Sequence, residues 1–354
     1  MTNSRCACVP PQRGAALIVA LLVVAMVVML ATALSSDFLL MYRRVENQIY
    51  SDQAYAYMRG GEALSRAALL YDMKKDEQND NSVPNDNLAE DWAQPQQYPT
   101  DYGWIGGQLE DLQGRFNLNR LATATAAAQQ PGVYSEAQHQ FVRLLLALKL
   151  EQPLTLDQAQ ALTDTVTDWV DADSTVSNLS GAESDYYESA DPPTRPANRA
   201  LVGPSELMMV KGMTPAIYRA LAPLVTVWPA TAAGGAADMA INVNTAPVAV
   251  LRSLGGTDDW EPLSDSEVAV LVDARTPPKF IKDVAALSVL LKTGVLLNRK
   301  ISTTGLVVSS NYFLLNTVTD FEGHRYAMRS ILHRQGTTSG KKSVDVIARS
   351  FGDW

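Results

Sequence analysis

Twenty almost wholly apolar residues, Ala15 to Leu34, follow a glycine and a short polar leader that carries Arg5 and Arg13. At about 1.5 Å per helical residue such a run measures about 30 Å, the thickness of a hydrocarbon core. Thr32 is its only conventional polar residue. The chain therefore starts life in a membrane, and whatever else it folds is either attached to this segment or released from it. Two arginines and no Asp or Glu in the leader place the N-terminus on the cytoplasmic side, so the residues after Asp37 are expected across the membrane.

Three readings of the segment compete. A secretory signal has an apolar core of only about 7 to 15 residues and a small-residue cleavage site, which Ala31-Thr32-Ala33 could supply. A plain uncleaved anchor fits hydropathy alone. The third reading rests on Gln12-Arg13-Gly14-Ala15-Ala16-Leu17-Ile18-Val19, which resembles the class III signal of pilins and pseudopilins, cut by a prepilin peptidase after the glycine. That resemblance makes Gly14 and Ala15 the processing pair, with N-methylation expected on Ala15. It also puts Val19 at the fifth mature position, where most pilins and pseudopilins carry a glutamate used in assembly.

Composition narrows the remainder. Of 354 residues, 47% are hydrophobic and 19% charged, the balance of an ordered globular protein behind an anchor. Both cysteines, Cys6 and Cys8, lie in the leader, so cleavage after Gly14 leaves no disulfide or zinc-thiolate site. The same cleavage takes Lys plus Arg from 29 to 27 against 38 acids, moving the formal charge from -9 to -11. An acidic protein of this kind is a poor general binder of nucleic acid.

No proline occurs between Pro11 and Pro84, and apolar residues recur at helical spacing through Phe38, Met41, Val45, Ile49, Ala56, Ala63 and Leu70. The spacing predicts one helix from Ala15 to about Asp72, about 85 Å long, which Gly60-Gly61 could bend. The Asn-, Asp- and Pro-rich stretch from Asp76 to Pro99 reads as a surface loop, and Tyr102 to Asn119 as a hairpin.

Within that stretch, Asp111-Leu112-Gln113-Gly114-Arg115-Phe116-Asn117-Leu118-Asn119 resembles a signature of the general secretion pathway protein K family, the large minor pseudopilins of type II secretion. Trp169-Val170-Asp171-Ala172-Asp173, then Gly181-Ala182-Glu183-Ser184-Asp185-Tyr186-Tyr187, and finally Ile241-Asn242-Val243-Asn244-Thr245-Ala246-Pro247 resemble further motifs of that family, in order. The resemblance implies an α+β, pilin-like fold: a long N-terminal transmembrane helix on an antiparallel sheet, interrupted by a large all-helical insert domain. The expected division is a leader over 1–14, a transmembrane part over 15–36, a first pilin-like part over 37–122, the insert over 123–300 and C-terminal strands over 301–354.

The residues agree with that plan. Ser135 to Leu150 and Leu154 to Val170 are amphipathic helices by period. Two helix-turn-helix units follow, one over Pro204 to Val227 turning at Lys211-Gly212-Met213, the other over Thr245 to Ala274 turning at Leu254-Gly255-Gly256, with a capping box at Ser264 and Glu267. Such hairpins also occur in DNA-binding modules, but no basic stripe accompanies them here. Gly305 to Ser309, Tyr312 to Thr319, His324 to His333 and Val344 to Ala348 read as strands completing the sheet begun near Trp104, one hairpin turning at Asp320-Phe321-Glu322-Gly323.

Catalytic chemistry finds no purchase. His139, His324 and His333 are widely separated and read as satisfied surface or sheet residues; there is no nucleophile elbow, no dinucleotide fingerprint, and Gly340-Lys341-Lys342-Ser343 lacks the upstream glycine of a phosphate loop. An enzyme is not expected. The acidic segment is different: Asp164, Asp168, Asp171, Asp173, Glu183, Asp185, Glu188 and Asp191 crowd fewer than thirty residues. Oxygen donors without nearby Cys or His suit a hard cation. Thr175 and Val176 rule out an EF-hand, and a solvated acidic loop stays open on composition. The family resemblance implies calcium held by Asp171, Asp173, Glu183 and Asp185, with backbone carbonyls completing the shell; Ser177 to Ser180 depart from the family's pattern.

The expected role is that of a minor pseudopilin of the type II secretion system, anchored once in the bacterial inner membrane with its bulk in the periplasm. It would form the pseudopilus tip with other minor pseudopilins, after handling by prepilin peptidase and the inner-membrane platform, and could meet the secretin or secreted substrates. A minor pilin of a type IV pilus and a membrane-anchored periplasmic binding protein are the alternatives.

Overall fold

The computed structural model describes residues 13–78, 84–122, 132–178, 180–231, 236–336 and 342–352. Residues 1–12 of the leader, with both cysteines, lie outside them, as does part of the 340–343 stretch. A single helix, α1 (Arg13–Gln78), runs without interruption through Gly60-Gly61. Its apolar N-terminal portion has a mean hydropathy of 3.0 and is fully exposed, long and apolar enough to cross a membrane. Beyond Tyr50 one stripe of the helix turns inward. A Cβ on Gly61 would come 3.1 Å from Ile105 Cδ1, so this glycine allows close approach of helix and sheet.

The sheet under α1 has five strands, all antiparallel, in the order β1 (Gln96–Thr100), β2 (Gly103–Asp111), β7 (Tyr312–Phe321), β8 (His324–Gly336) and β9 (Lys342–Phe351). β1 and β2 form one hairpin. Asp111 to Asn119 does not return as its partner strand; it turns through a 3-10 segment into β3 (Phe116–Asn117). The expected hairpin is thus formed one element earlier. The expected surface loop before it is likewise partly interior: Asn85, Asp86 and Trp92 are buried, and its end supplies β1. A loop read from composition cannot show which of its polar residues find partners inside.

The insert follows, with α2 (Glu136–Leu146), α3 (Leu156–Val170), α4 (Ser184–Glu188), α5 (Pro215–Leu221), β4 (Val225–Thr226), β5 (Ile241–Asn242), α6 (Val248–Arg252), α7 (Asp265–Arg275) and α8 (Val284–Leu291). Capping boxes at Ser135/Gln138, Thr155/Gln158 and Ser264/Glu267 start α2, α3 and α7. One apolar core centred on Phe116, Phe141, Leu145, Trp169 and Ile241 holds these helices together. The first hairpin unit begins with a 3-10 turn over Pro204–Met209 and reverses at Gly212 with φ 84°. In the second, the carbonyls of Ser253, Gly255, Gly256 and Asp259 all accept from the buried Arg143 guanidinium. That turn is committed to internal packing.

Two asparagines brace the insert, Asn119 from outside it and Asn244 from within. Asn119 donates to the carbonyls of Val227 and Leu201 and accepts from the Leu201 N–H, where β3 pairs in parallel with β4. Asn244 donates to the Ile281 carbonyl and accepts from its N–H, where β5 pairs in parallel with β6 (Leu306–Val307). β6 was expected in the main sheet; it serves the insert instead. The sheet is completed by β7, β8 and β9. Glu322 (φ 51°) and Gly323 (φ 79°) make the two-residue turn whose positive dihedrals match strand twist.

The helix-sheet interface is apolar at two points and ionic between them. Ala54 and Met58 pack with Phe321 and Met328; Leu69 packs with Trp92, Leu109, Phe313 and Leu332. Between these clusters the buried Glu62 accepts from Arg349 at 2.6 and 2.9 Å and from Ser330 Oγ at 3.0 Å.

Candidate functional site

The acidic loop leaves α3 at Asp171 and reaches α4 at Glu183, and its path is fixed by two aspartates on α3. Asp168 Oδ1 accepts from the Ser177 N–H at 2.9 Å and Oδ2 from the Ala182 N–H at 2.7 Å, so one carboxylate closes the loop at both ends. Asp164 Oδ1 accepts from Asn178 Nδ2 at 2.7 Å. Lys211 Nζ donates to the carbonyls of Ser180 and Gly181 from outside. Asp164 and Asp168 are therefore spent as clips.

Held this way, Asp171, Asp173 and Glu183 each bring a carboxylate oxygen within 4.8 Å of the others. Asp173 is exposed and folds back to accept from the Thr175 N–H at 2.7 Å. Asp171 Oδ1 and both oxygens of Glu183 are buried and have no hydrogen-bond partner among the described residues. Glu183 occupies the N-cap of α4 yet makes no capping bond. Burial, reinforced by the neighbouring acids, pushes Asp171 up to about 7 and Glu183 up to about 7. Buried, unpaired carboxylates are costly, and a hard cation is the group whose charge and oxygen appetite remove that cost. The donor set fits such an ion.

Asp185 stands apart from the trio, exposed in the first turn of α4. Glu188 is tied to Arg195 at 2.8 Å on the surface. Sequence reasoning missed Asn198, in the left-handed region at φ 41°: its N–H donates to the Trp169 carbonyl, its Nδ2 donates to the Asp173 carbonyl at 2.8 Å, and its Oδ1 is buried without a partner. An asparagine in that backbone region is a usable signal, but its sequence distance from the acids hides the connection.

The processing and assembly residues lie elsewhere. Gly14 and Ala15 open α1, with nothing packed near Gly14, and Val19 is exposed one turn further on. His139, expected at a surface or in a sheet, is on α2, buried, and stacked on Trp260 at 3.9 Å with its Nδ1 unpartnered. His333 stacks on Tyr312 at 4.3 Å in the sheet, and His324 is exposed at the start of β8. No two of the histidines meet.

Comparison with known proteins is consistent across methods. The family model of type II secretion system (T2SS) protein K matches residues 114–230. The type II secretion system protein K of Pseudomonas aeruginosa is 32% identical over 96% of this chain and 93% of its own length. That of Pectobacterium carotovorum is 31% identical over 97% of each chain. Among solved structures, a chain of the GspK-GspI-GspJ complex from enterotoxigenic Escherichia coli aligns with a TM-score of 0.69 and 26% identity, covering 88% of this chain and all of that one.

Proposed function

This chain belongs to the type II secretion system protein K family, a minor pseudopilin of that machine, and on that premise we propose that it caps the pseudopilus in a complex with other minor pseudopilins. The observation that carries the proposal is the division of labour along α1. One stripe of the helix is buried on the sheet, while Leu64 and Tyr71, two turns apart on another face of the same stretch, remain exposed as large apolar side chains. A second helix of the same kind is the natural cover for such a stripe. The structural relative aligned over nearly the whole chain was solved in a three-component complex.

In this reading the protein works by assembly and not by turnover. Prepilin peptidase removes residues 1–14, Ala15 is N-methylated, the apolar part of α1 anchors the chain in the inner membrane and the folded part lies in the periplasm. Calcium is held by Asp171, Asp173 and Glu183, with Asn198 Oδ1, beyond α4 but tied to the loop at the Asp173 carbonyl, as a further oxygen; the ion neutralises the buried acids and orders the loop. Contact with the inner-membrane platform, the secretin or secreted proteins would follow from the tip position.

The test is co-expression of the full chain with its candidate pseudopilin partners, extraction in detergent and size-exclusion chromatography. A stable heteromeric complex is expected, weakened by Leu64→Arg and Tyr71→Arg while the fold is kept. A chain that elutes alone at every ratio tried would refute the tip-complex reading.

A further inference from the structure

A second group of acids lies about the C-terminal end of α1, far from the 171–183 loop in the sequence. Asp72 on α1 and Asp86 and Glu90 on the segment leading to β1 each bring a carboxylate oxygen within 4.8 Å of the others. Unlike a surface cluster it is interior: the Asp86 side chain is 0% exposed and that of Asp72 10%. Asp76 and Asp111 are close enough to be felt, so five carboxylates share one seam.

Among the described residues the cations do not balance them. Arg334 on β8 pairs with Asp72 Oδ2 at 3.1 Å and with Asp86 Oδ2, and gives a further bond to the Ser310 carbonyl at 2.6 Å. Lys342 Nζ is directed to the Met73 carbonyl at 2.6 Å, on the Asp76 side. Asp111 is saturated by Gln113, Asn242, Thr245 and Ser310. Asp86 is not. Its Oδ2 takes Arg334 and the Ser310 N–H, but Oδ1 is buried with no hydrogen-bond partner among the described residues. A fully buried carboxylate oxygen without a donor is rare and expensive, and here two further acids stand beside it.

We propose that Asp72, Asp86 and Glu90 form a site for a hard divalent cation of the calcium type, which ties the end of the stem helix to the segment leading into β1. Arg334 holds the Oδ2 oxygens of Asp72 and Asp86, leaving Asp86 Oδ1 as the oxygen free for an ion. Glu90 is oriented by Trp92 Nε1 and the Asn87 N–H, which donate to Oε2 at 2.6 and 3.3 Å, and by Asn87 Nδ2, which donates to Oε1 at 3.0 Å, so Oε1 keeps a lone pair for an ion. Burial, then the neighbouring acids, raise Asp72 to about 7 and Glu90 to about 8, which is the condition a bound cation relieves. Through the Asp86 N–H to Val308 and its carbonyl to Asn242 Nδ2, the ion would couple α1 to the insert.

Trp92 supplies the test, because its indole touches a ligand. Full-length protein in detergent, stripped with chelator and carrying Asp173→Ala and Glu183→Ala to silence the other acidic loop, is titrated with terbium under tryptophan excitation. The expected result is saturable terbium emission, reversed by excess calcium, abolished by Trp92→Phe and shifted to at least about tenfold weaker affinity by Glu90→Gln. Emission that is absent, or that persists unchanged in Trp92→Phe, would overturn the proposal. Trp92→Phe removes no ligand, so it decides the matter even if Glu90→Gln fails to fold.

Discussion

A Cβ on Gly181 would lie 2.1 Å from Asp168 Oδ2, the oxygen that accepts the Ala182 N–H. Closure of the acidic loop therefore depends on an absent side chain as much as on a present one. Asp168→Ala strands two backbone N–H groups that had charged acceptors, and Gly181→Ala drives the same contact apart. Each should cost about 2–4 kcal/mol of stability. Thermal or urea denaturation of the full chain in detergent checks this, and losses within experimental error would show that the loop closes without the clip.

Calcium should stabilise the protein through the trio that the clip positions. An ion that binds only the folded state contributes about 2.7 kcal/mol when its concentration is about a hundredfold above Kd. In a Glu90→Gln background, which removes the second acidic group from account, melting temperature should rise with calcium and fall with chelator. Asp171→Ala, Asp173→Ala and Glu183→Ala should each abolish the response, whereas Asp185→Ala, outside the trio, should keep it. Equal loss in Asp185→Ala would restore Asp185 as a ligand.

His139 gives a pH dependence with a definite sign. Burial and the nearby Arg143 guanidinium lower it from 6.5 to about 4. The folded protein thus keeps a neutral imidazole where the unfolded chain takes up a proton, so its contribution is complete above 6.5 and is lost as pH falls toward about 4. Stability measured between pH 7.5 and 4.5 should decline in this window. His139→Phe, which preserves the stack on Trp260, should flatten the decline; an identical slope in the variant would assign the acid sensitivity to other groups.

How far the sequence disclosed this structure depends on the range of the interactions involved. α1 was legible because its apolar period and lack of proline are local, and the Ser264/Glu267 box because its two members lie one turn apart. The recognisable Phe116-Asn117-Leu118-Asn119 and Ile241-Asn242-Val243-Asn244 runs were visible as motifs, yet their work was not. Asn119 and Asn244 satisfy backbone groups tens of residues away, at Leu201, Val227 and Ile281. Asp164, Asp168 and Asp171 share one helix face, so spacing alone could not separate the two clips from the candidate ligand. Asp86 was hidden in a polar stretch that reads as solvent-exposed, since only the fold brings Arg334 to it.

Processing should depend on the bare backbone at the start of α1. Nothing packs against Gly14, so a side chain there is no threat to this protein's own fold. A peptidase that must accommodate that position is the only party affected. Gly14→Val should leave uncleaved precursor in the membrane with unchanged stability, and Gly14→Ala should slow cleavage less. Intact mass of the membrane form reads the result: loss of residues 1–14 with one added methyl group is expected, while loss of 1–33 would identify a secretory signal.

The last prediction concerns Val19. Resemblance to pilins implies that a glutamate at the fifth mature position pairs, in most subunits, with the charged N-terminal amine of a neighbour inside the fibre. Counted from Ala15 this chain offers a valine there, exposed on the apolar part of α1. A charged amine left without a carboxylate in hydrocarbon is costly, so this chain is a poor neighbour for a subunit whose amine needs one. The end of the fibre is the position that makes no such demand. The insert built on α2 to α8 would also obstruct a subunit stacked above it. Labelled wild-type protein should therefore appear once per pseudopilus, at one end, and its deletion should reduce the number of fibres started. Val19→Glu should enter internal positions measurably more often. Wild-type label spread along the fibre would reject the tip assignment, and a Val19→Glu variant still confined to the end would assign the position to the bulk of the insert and not to the missing carboxylate.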